Sequence, residues 1–245
     1  MNIYIVTLFP DELRSAFSRS IFNRAEFNNV FSLTFINIRD FSIGRYKKVD
    51  DYPFGYKQGM LLRADVLYRA ITSIDNYDSY RMLYMCPKGD SYCQPMATKL
   101  SREPGLILIS GYYEGVDERI FDRLPIERIS VGPYVLSSGD LPALIVTESI
   151  LRLLDGVIGK KKSVDMDSYL TGLLEHPHYT HPRQFDGLGV PDVLLSGHHK
   201  HIHDWQVYNS LKETLYNQPM LLQNYDASDN DQHYLMTILK EKIND

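Results

Sequence analysis

Long apolar runs are missing from this sequence. No uninterrupted hydrophobic stretch approaches the ~20 residues that a helix needs to cross a bilayer, so a membrane partner is not expected. The first residues, MNIYIVTLFPDEL, lack the charged start and the small-residue cleavage site of a secretory signal. Cysteine is scarce as well. Cys86 and Cys93 read as reduced thiols rather than as a disulfide framework, and the expected compartment is the cytoplasm. Positive charge is in deficit, with 26 Lys and Arg against 31 Asp and Glu and a formal net charge of -5. A general polyanion binder displaces counterions with many basic side chains, so that class is disfavoured. Local basic clusters at Arg45, Lys47, Lys48 and at Lys160, Lys161, Lys162 read first as solvated faces. Neither a Walker loop nor G-x-G-x-x-G occurs, which argues against a phosphate cradle.

What is present is an ordinary globular composition, 44% hydrophobic and 23% charged, in a chain long enough for one large or two modest domains. Near-continuous aliphatic runs over 3–9, 31–38, 82–86, 106–110 and 126–131 predict strands buried on both faces of a parallel sheet. Helical patterns fall between them, over 10–17, 64–74, 94–101, 117–123 and 141–154, with Pro142 tolerated in a first turn. The alternation predicts a layered α/β domain over 1–159. A polar linker follows over 160–171, then a small helical domain over 172–245 with helices at 204–217 and 231–243 and no further strand.

In an open α/β sheet, ligands sit outside the carboxyl ends of the strands. Three segments leave such ends: MCPKGD, GYYEGVDER and VGPYVLSSGD. They carry glycines and few charges, which suits a flat group held by main-chain amides and carbonyls. The bend Ser137-Ser138-Gly139 allows close approach either of another chain segment or of such a ligand. Asp117 and Glu118 are explained as acids near a helix N-terminus, with Arg119 pairing outward, whereas Glu114 lies inside the glycine bend. Seven of the eight histidines lie between His176 and His203, a density that raises zinc chemistry, yet no H-E-x-x-H is present and no metal ligand is assigned.

The runs LFP, RDF, VDD, YEGVDER, YVLSSGDLPA, MDSYLTGLLEHPHYT and VLLSGHH occur in an order that resembles the bacterial tRNA (guanine-N1)-methyltransferase family, TrmD, across nearly the whole chain. The resemblance implies a SPOUT-type fold with a deep trefoil knot in the sheet domain, and methyl transfer from S-adenosylmethionine to N1 of guanosine 37 in the tRNA anticodon loop. It implies that Asp167 is the base and Arg152 the cation at guanine O6, with Glu114 beside the methionine end or the target base. Read without it, Asp167 is a helix N-cap and Arg152 a snorkelling or Glu148-paired side chain. The cofactor contacts implied are Met85, Cys86 and Pro87 on one segment, Gly111 and Tyr113 on the next, and Val131, Gly132, Tyr134, Val135, Leu136, Gly139 and Pro142 on the third. Asp50, Lys57, Arg152 and Lys160 are the implied tRNA contacts. Also implied are a homodimer, in which the linker carboxylate serves a cofactor held mainly by the other subunit, and a Mg2+ dependence. An all-protein magnesium site is not legible, consistent with an ion that keeps most of its waters.

The family pattern is broken at several positions. Tyr56, Lys57 and Gln58 interrupt a glycine-rich loop, Tyr112 stands where arginine is usual, Pro133 replaces an acid, and Ser138 replaces a glycine. His181 replaces an arginine, and Asp90 stands where the loop is usually basic. Cofactor binding and chemistry are expected to persist, while base and tRNA recognition are expected to change. The competing expectation is a catalytically silent homologue that binds RNA or S-adenosylmethionine.

Overall fold

Five parallel strands make the central sheet, in the order β2-β1-β6-β5-β7, with β1 at Asn2–Thr7, β2 at Ser32–Asn37, β5 at Arg81–Ser91, β6 at Gly105–Ser110 and β7 at Ile126–Ser130. This computed structural model describes all residues except 18–19, 56–57, 159–166 and 245. The central strand β6 is buried along its whole length, as its aliphatic run GLILIS requires, whereas edge strand β2 has only exposed and half-buried residues. Two short strands, β3 at Asp50–Asp51 and β4 at Leu61–Leu62, pair antiparallel beside the sheet.

Helices α1 (Pro10–Ala16), α2 (Ser20–Phe27), α3 (Ala64–Thr72), α4 (Gln94–Leu100), α5 (Arg119–Arg123) and α6 (Asp140–Leu151) join the strands. Two apolar clusters result. Ile3, Ile5, Leu83, Leu106 and Leu108 pack with α1, α2, α4 and α6, while Val6, Met82, Ile107 and Ile109 pack with α3 and α5. Successive side chains of each strand alternate between the two clusters, as the period of two demands. Helix α2 was not foreseen, although Phe22 and Ala25, three apart, mark its buried face.

The expectation of a loop at MCPKGD is corrected. Strand β5 pairs with β7 from Met82 to Met85, shifts register, and resumes at Asp90↔Ile129 and Ser91↔Ser130. The extra residues are absorbed by a bulge, and Gly89 permits it. A Cβ there would stand 2.3 Å from the Ile129 amide nitrogen, a close approach open only to glycine.

The chain divides into two compact units, Met1–Gly159 and Lys160–Asp245. The second contains helices at Asp192–Leu195, His199–Asn217 and Asp229–Asn244 around Leu173, Leu211 and Ile238. The expectation of no further strand fails here. Gln184–Phe185 and Leu188–Gly189 form a hairpin around Asp186-Gly187, both at positive φ (51° and 79°). That conformation is the one a two-residue turn favours, and Asp-Gly is its usual sequence. Helix His199–Asn217 begins five residues before the predicted start, which places His199, His201 and His203 on it.

Candidate active site

At the carboxyl ends of β5, β6 and β7, a cavity of about 550 Å³ opens between three segments of the first unit. Met85, Cys86 and Pro87 come from β5 as it enters the bulge; Gly111, Tyr113 and Glu114 follow β6; Val131, Gly132, Tyr134, Val135, Leu136, Gly139 and Pro142 follow β7. Every residue expected to touch the cofactor therefore lines one space.

Two glycines bring main chain together there. A Cβ on Gly139 would lie 2.6 Å from the Gly111 nitrogen and 2.8 Å from Ser110 Cα, and the Gly139 amide donates to the Gly111 carbonyl at 2.8 Å. The small residue in the bend thus serves the close approach of another chain segment. Gly111 is in turn held against the Tyr84 hydroxyl, 2.5 Å from where its Cβ would be. Burial pushes the Tyr84 phenol up, and its ring packs edge-on against Phe121 at 5.5 Å. The Ser110 hydroxyl, fully buried at the end of β6, makes no hydrogen bond among the described residues.

The loop after β6 is held by main-chain bonds to β4 and the residue before it. Glu114 N–H donates to Met60 O at 3.0 Å, Leu62 N–H to Gly115 O at 2.9 Å, and Asp117 N–H to Leu62 O at 2.9 Å. Tyr113 sits at φ 57° within this turn. Its phenol is raised first by burial and next by a hydrogen bond to Asp50, with Arg39 opposing. Asp50 and Arg39 therefore lie beside the Tyr113 phenol. Glu114 is exposed, lines the cavity, and packs its Cγ over Gly59, where a Cβ would fall within 2.3 Å.

Two ion pairs lie on or near the lining, Arg128–Glu118 on this cavity and Arg119–Asp117 on its neighbour. Arg128 is ion-paired with Glu118 and stacks over the Phe121 ring at 3.6 Å. Arg119 Nε donates to Asp117 at 2.9 Å, and this bond holds the Asp117 carboxyl below its ordinary range. A larger cavity of about 770 Å³ lies beyond Pro53 and Leu61, where Arg63 and Arg69 share Asp65.

The Tyr112 hydroxyl takes no part in the rim and instead joins a buried network. It lies 2.7 Å from both Asp140 carboxylate oxygens and 2.5 Å from Thr7 Oγ1, and it accepts the Leu8 amide at 3.2 Å. Ser138 also bonds Asp140, at 3.2 Å. The substituted positions 112 and 138 thus meet on one carboxylate, a pairing that sequence order alone could not reveal.

The expected catalytic pair is split between the two units. Arg152 is exposed at the C-cap of α6, where its amide donates to Glu148 O at 3.1 Å. Asp167 belongs to the second unit, half-buried in a bend, with its carbonyl accepting the Leu170 amide at 3.2 Å. The N-cap reading of Asp167 is corrected, because a turn with Tyr169 at φ 74° follows it rather than a helix. Lys57 and Lys160 lie outside the described residues. No group of three or more His, Cys, Asp or Glu among the described residues is arranged to hold a metal. His176 packs edge-on against Trp205 at 5.9 Å, and His233 lies 6.4 Å from the Tyr234 ring. No helix among the described residues is long and apolar enough to cross a membrane.

A family model described as tRNA (Guanine-1)-methyltransferase TrmD matches residues 1–224. Curated relatives named tRNA (guanine-N(1)-)-methyltransferase include one from Staphylococcus haemolyticus, 40% identical over 244 residues and covering 100% of each chain. One from Staphylococcus epidermidis is 41% identical over 245 residues, again covering 100% of each. A third, from Bacillus cereus, is 41% identical over 244 residues, covering 99% of this chain and 100% of its own. With the cavity at the strand ends and a match along the whole length, this chain belongs to the tRNA (guanine-N1)-methyltransferase family TrmD.

Proposed function

We propose that this protein transfers a methyl group from S-adenosylmethionine to N1 of guanosine 37 in the anticodon loop of tRNA. The observation that carries the reading is the strand-end cavity in a chain of this family, lined by every residue expected to hold the methyl donor. Its volume suits a ligand of that size. Apolar Val131, Leu136 and Pro142, with Gly111 and Gly139 among the lining residues, suit a flat adenine, and the carboxylate of Glu114 suits a cationic ligand.

When bound, the donor supplies an electrophilic methyl group on a sulfonium. Guanine N1 carries a hydrogen and is only weakly acidic, so attack needs a base, and Asp167 takes that proton. Negative charge then grows toward guanine O6, where the Arg152 guanidinium donates in a geometry that matches the guanine edge. Glu114 serves on the side of the methionine end and target base. A guanosine in a single-stranded loop can be splayed into the pocket at modest unstacking cost. The linker and the helical second unit are assigned to tRNA, with Asp50, Lys57 and Lys160 as further contacts. Mg2+ is assigned a supporting role with most of its waters retained.

The threading of 131–139 is proposed to form the trefoil knot, and the close passage of Gly139 over Gly111 supports it. A homodimer is proposed on helix α6. This helix is apolar on nearly all sides, yet Leu141 and Ile145 are 56% and 45% exposed, and neighbouring Val135 is 86% exposed. Helices of that character are normally covered, and a second copy of the chain provides the cover. A cytoplasmic location is proposed with the tRNA substrate.

The test is label transfer from S-adenosylmethionine to a tRNA transcript, followed by nucleoside analysis. The wild-type protein is expected to yield 1-methylguanosine, and replacing guanosine 37 is expected to abolish it. Asp167→Ala is expected to lower the rate by roughly 10²–10⁴-fold. Equal rates for the two proteins would remove Asp167 from the mechanism. No label from the wild type with the cofactor bound would make the chain a silent binding homologue.

A further inference from the structure

We propose that Tyr112 is a positioning residue that, through Asp140, locks two walls of the cavity, 111–114 and 131–139, into the shape that holds the methyl donor. The inference rests on the function proposed above and adds a residue to it.

Hydrogen-bond direction fixes how the network runs. Thr7 and Tyr112 each own one hydroxyl proton, and their oxygens are 2.5 Å apart. If both protons pointed at Asp140, two lone pairs would face each other across that contact. The consistent order is a chain: the Phe9 amide donates to Thr7 Oγ1 at 3.1 Å, Thr7 donates to Tyr112, and Tyr112 donates to the carboxylate at 2.7 Å. The Leu8 amide fills the remaining acceptor site on the phenol. Ser138 closes the other side, donating to Asp140 Oδ2 and accepting the Asp140 amide at 3.3 Å.

The network spans the ends of β1 and β6 and the start of α6. Tyr112 lies between Gly111 and Tyr113, both on the cavity wall, and Ser138 precedes Gly139, whose amide is tied to Gly111. Moving the phenol away from Asp140 therefore leaves the Gly139–Gly111 main-chain bond as the remaining tie between the 131–139 and 111–114 walls and loosens one against the other. Tyr112 is 7% exposed and Thr7 is fully buried, so water does not readily replace the lost bond. Burial pushes the Tyr112 phenol well up, and Asp140 adds to the shift, so Tyr112 remains a donor throughout the neutral range. This chain holds the segment with an uncharged, single-proton donor to the carboxylate.

The decisive comparison is Tyr112→Phe, which keeps the ring and its edge-on packing with Phe9 and removes only the hydroxyl. Titration calorimetry with S-adenosylmethionine is expected to show affinity weakened by roughly tenfold or more, the scale of losing a bond to a charged group. In the methyl-transfer assay, KM for the cofactor should rise by a similar factor while kcat at saturation changes much less. Amide hydrogen exchange should quicken at Leu8 and Gly139. A lowered melting temperature with unchanged affinity and unchanged exchange at those two amides would reduce Tyr112 to a structural residue and overturn the inference. Should Tyr112→Phe not fold, Thr7→Val, which removes the hydroxyl that bonds Tyr112 and lies 3.1 Å from Asp140 Oδ1, is held to the same three readouts. Failure of the wild type itself to bind S-adenosylmethionine would overturn the proposed function, and this inference with it.

Discussion

In the unit Met1–Gly159, strand β6 is buried from end to end between two large apolar clusters, whereas the buried apolar core described for Lys160–Asp245 consists of Leu173, Leu211 and Ile238. The first unit can hold a cavity wall to within a few tenths of an ångström, because glycine, phenol and carboxylate there are set against a dense frame. The second has little apolar burial in reserve, so its order depends on a few contacts. The proposed chemistry draws on both, with the cofactor held by the dense unit and the base carried by the lighter one.

The largest expected effect breaks the lighter unit alone. Leu211→Ala should cost about 2–5 kcal/mol, the usual price of truncating a core leucine, and against three buried residues that is enough to unfold the unit. Calorimetric scans should lose the transition of the second unit, while S-adenosylmethionine binding persists. Loss of binding as well would show that the units do not fold independently.

Next comes Arg152→Ala, with an expected loss of roughly 10²–10³-fold in kcat and little change in cofactor affinity, as for removal of one transition-state donor. Single-turnover rates at saturating cofactor check it. An unchanged rate would return Arg152 to an ordinary surface cation.

Gly139→Ala sharpens the view of the dense unit. The added methyl meets backbone at Gly111 and Ser110, which cannot swing aside as a side chain can, so a cost of about 1–3 kcal/mol is expected together with loss of cofactor binding. Urea unfolding and calorimetry read the two effects separately.

The smallest effect is alkaline. Burial pushes the Tyr92 phenol up from 10.0 to about 12, its hydroxyl lying 2.6 Å from Ser149 on α6. A raised acid is held neutral by the fold, so its contribution is fully present below pH 10 and is lost as pH rises through about 12. Tyr92→Phe should flatten the fall of the urea midpoint across that window. The same slope in variant and wild type would assign the fall to other groups.

Much of this architecture was legible in the residues. The five aliphatic runs became the five parallel strands, because a strand buried on both faces leaves no room for polar alternation. Helix α2 was missed because its buried residues, Phe22 and Ala25, are few and its other face is polar. The hairpin at Asp186-Gly187 was legible in its turn dipeptide but carries almost no apolar signal, since Gln184, Phe185, Leu188 and Gly189 are all exposed. The cavity-lining residues followed from the family resemblance, and their convergence follows from strand order. The partnership of Thr7, Tyr112, Ser138 and Asp140 was hidden, because it joins positions up to 133 residues apart that no local period connects.

The most direct measurement is a crystal structure of the protein with S-adenosylmethionine. The adenine should lie between the 131–139 segment and the Gly111–Tyr113 turn, with Gly139 still bonded to Gly111 and the methyl group facing open space for a base. A cofactor bound elsewhere, with the strand-end cavity filled by the protein's own side chains, would contradict the account.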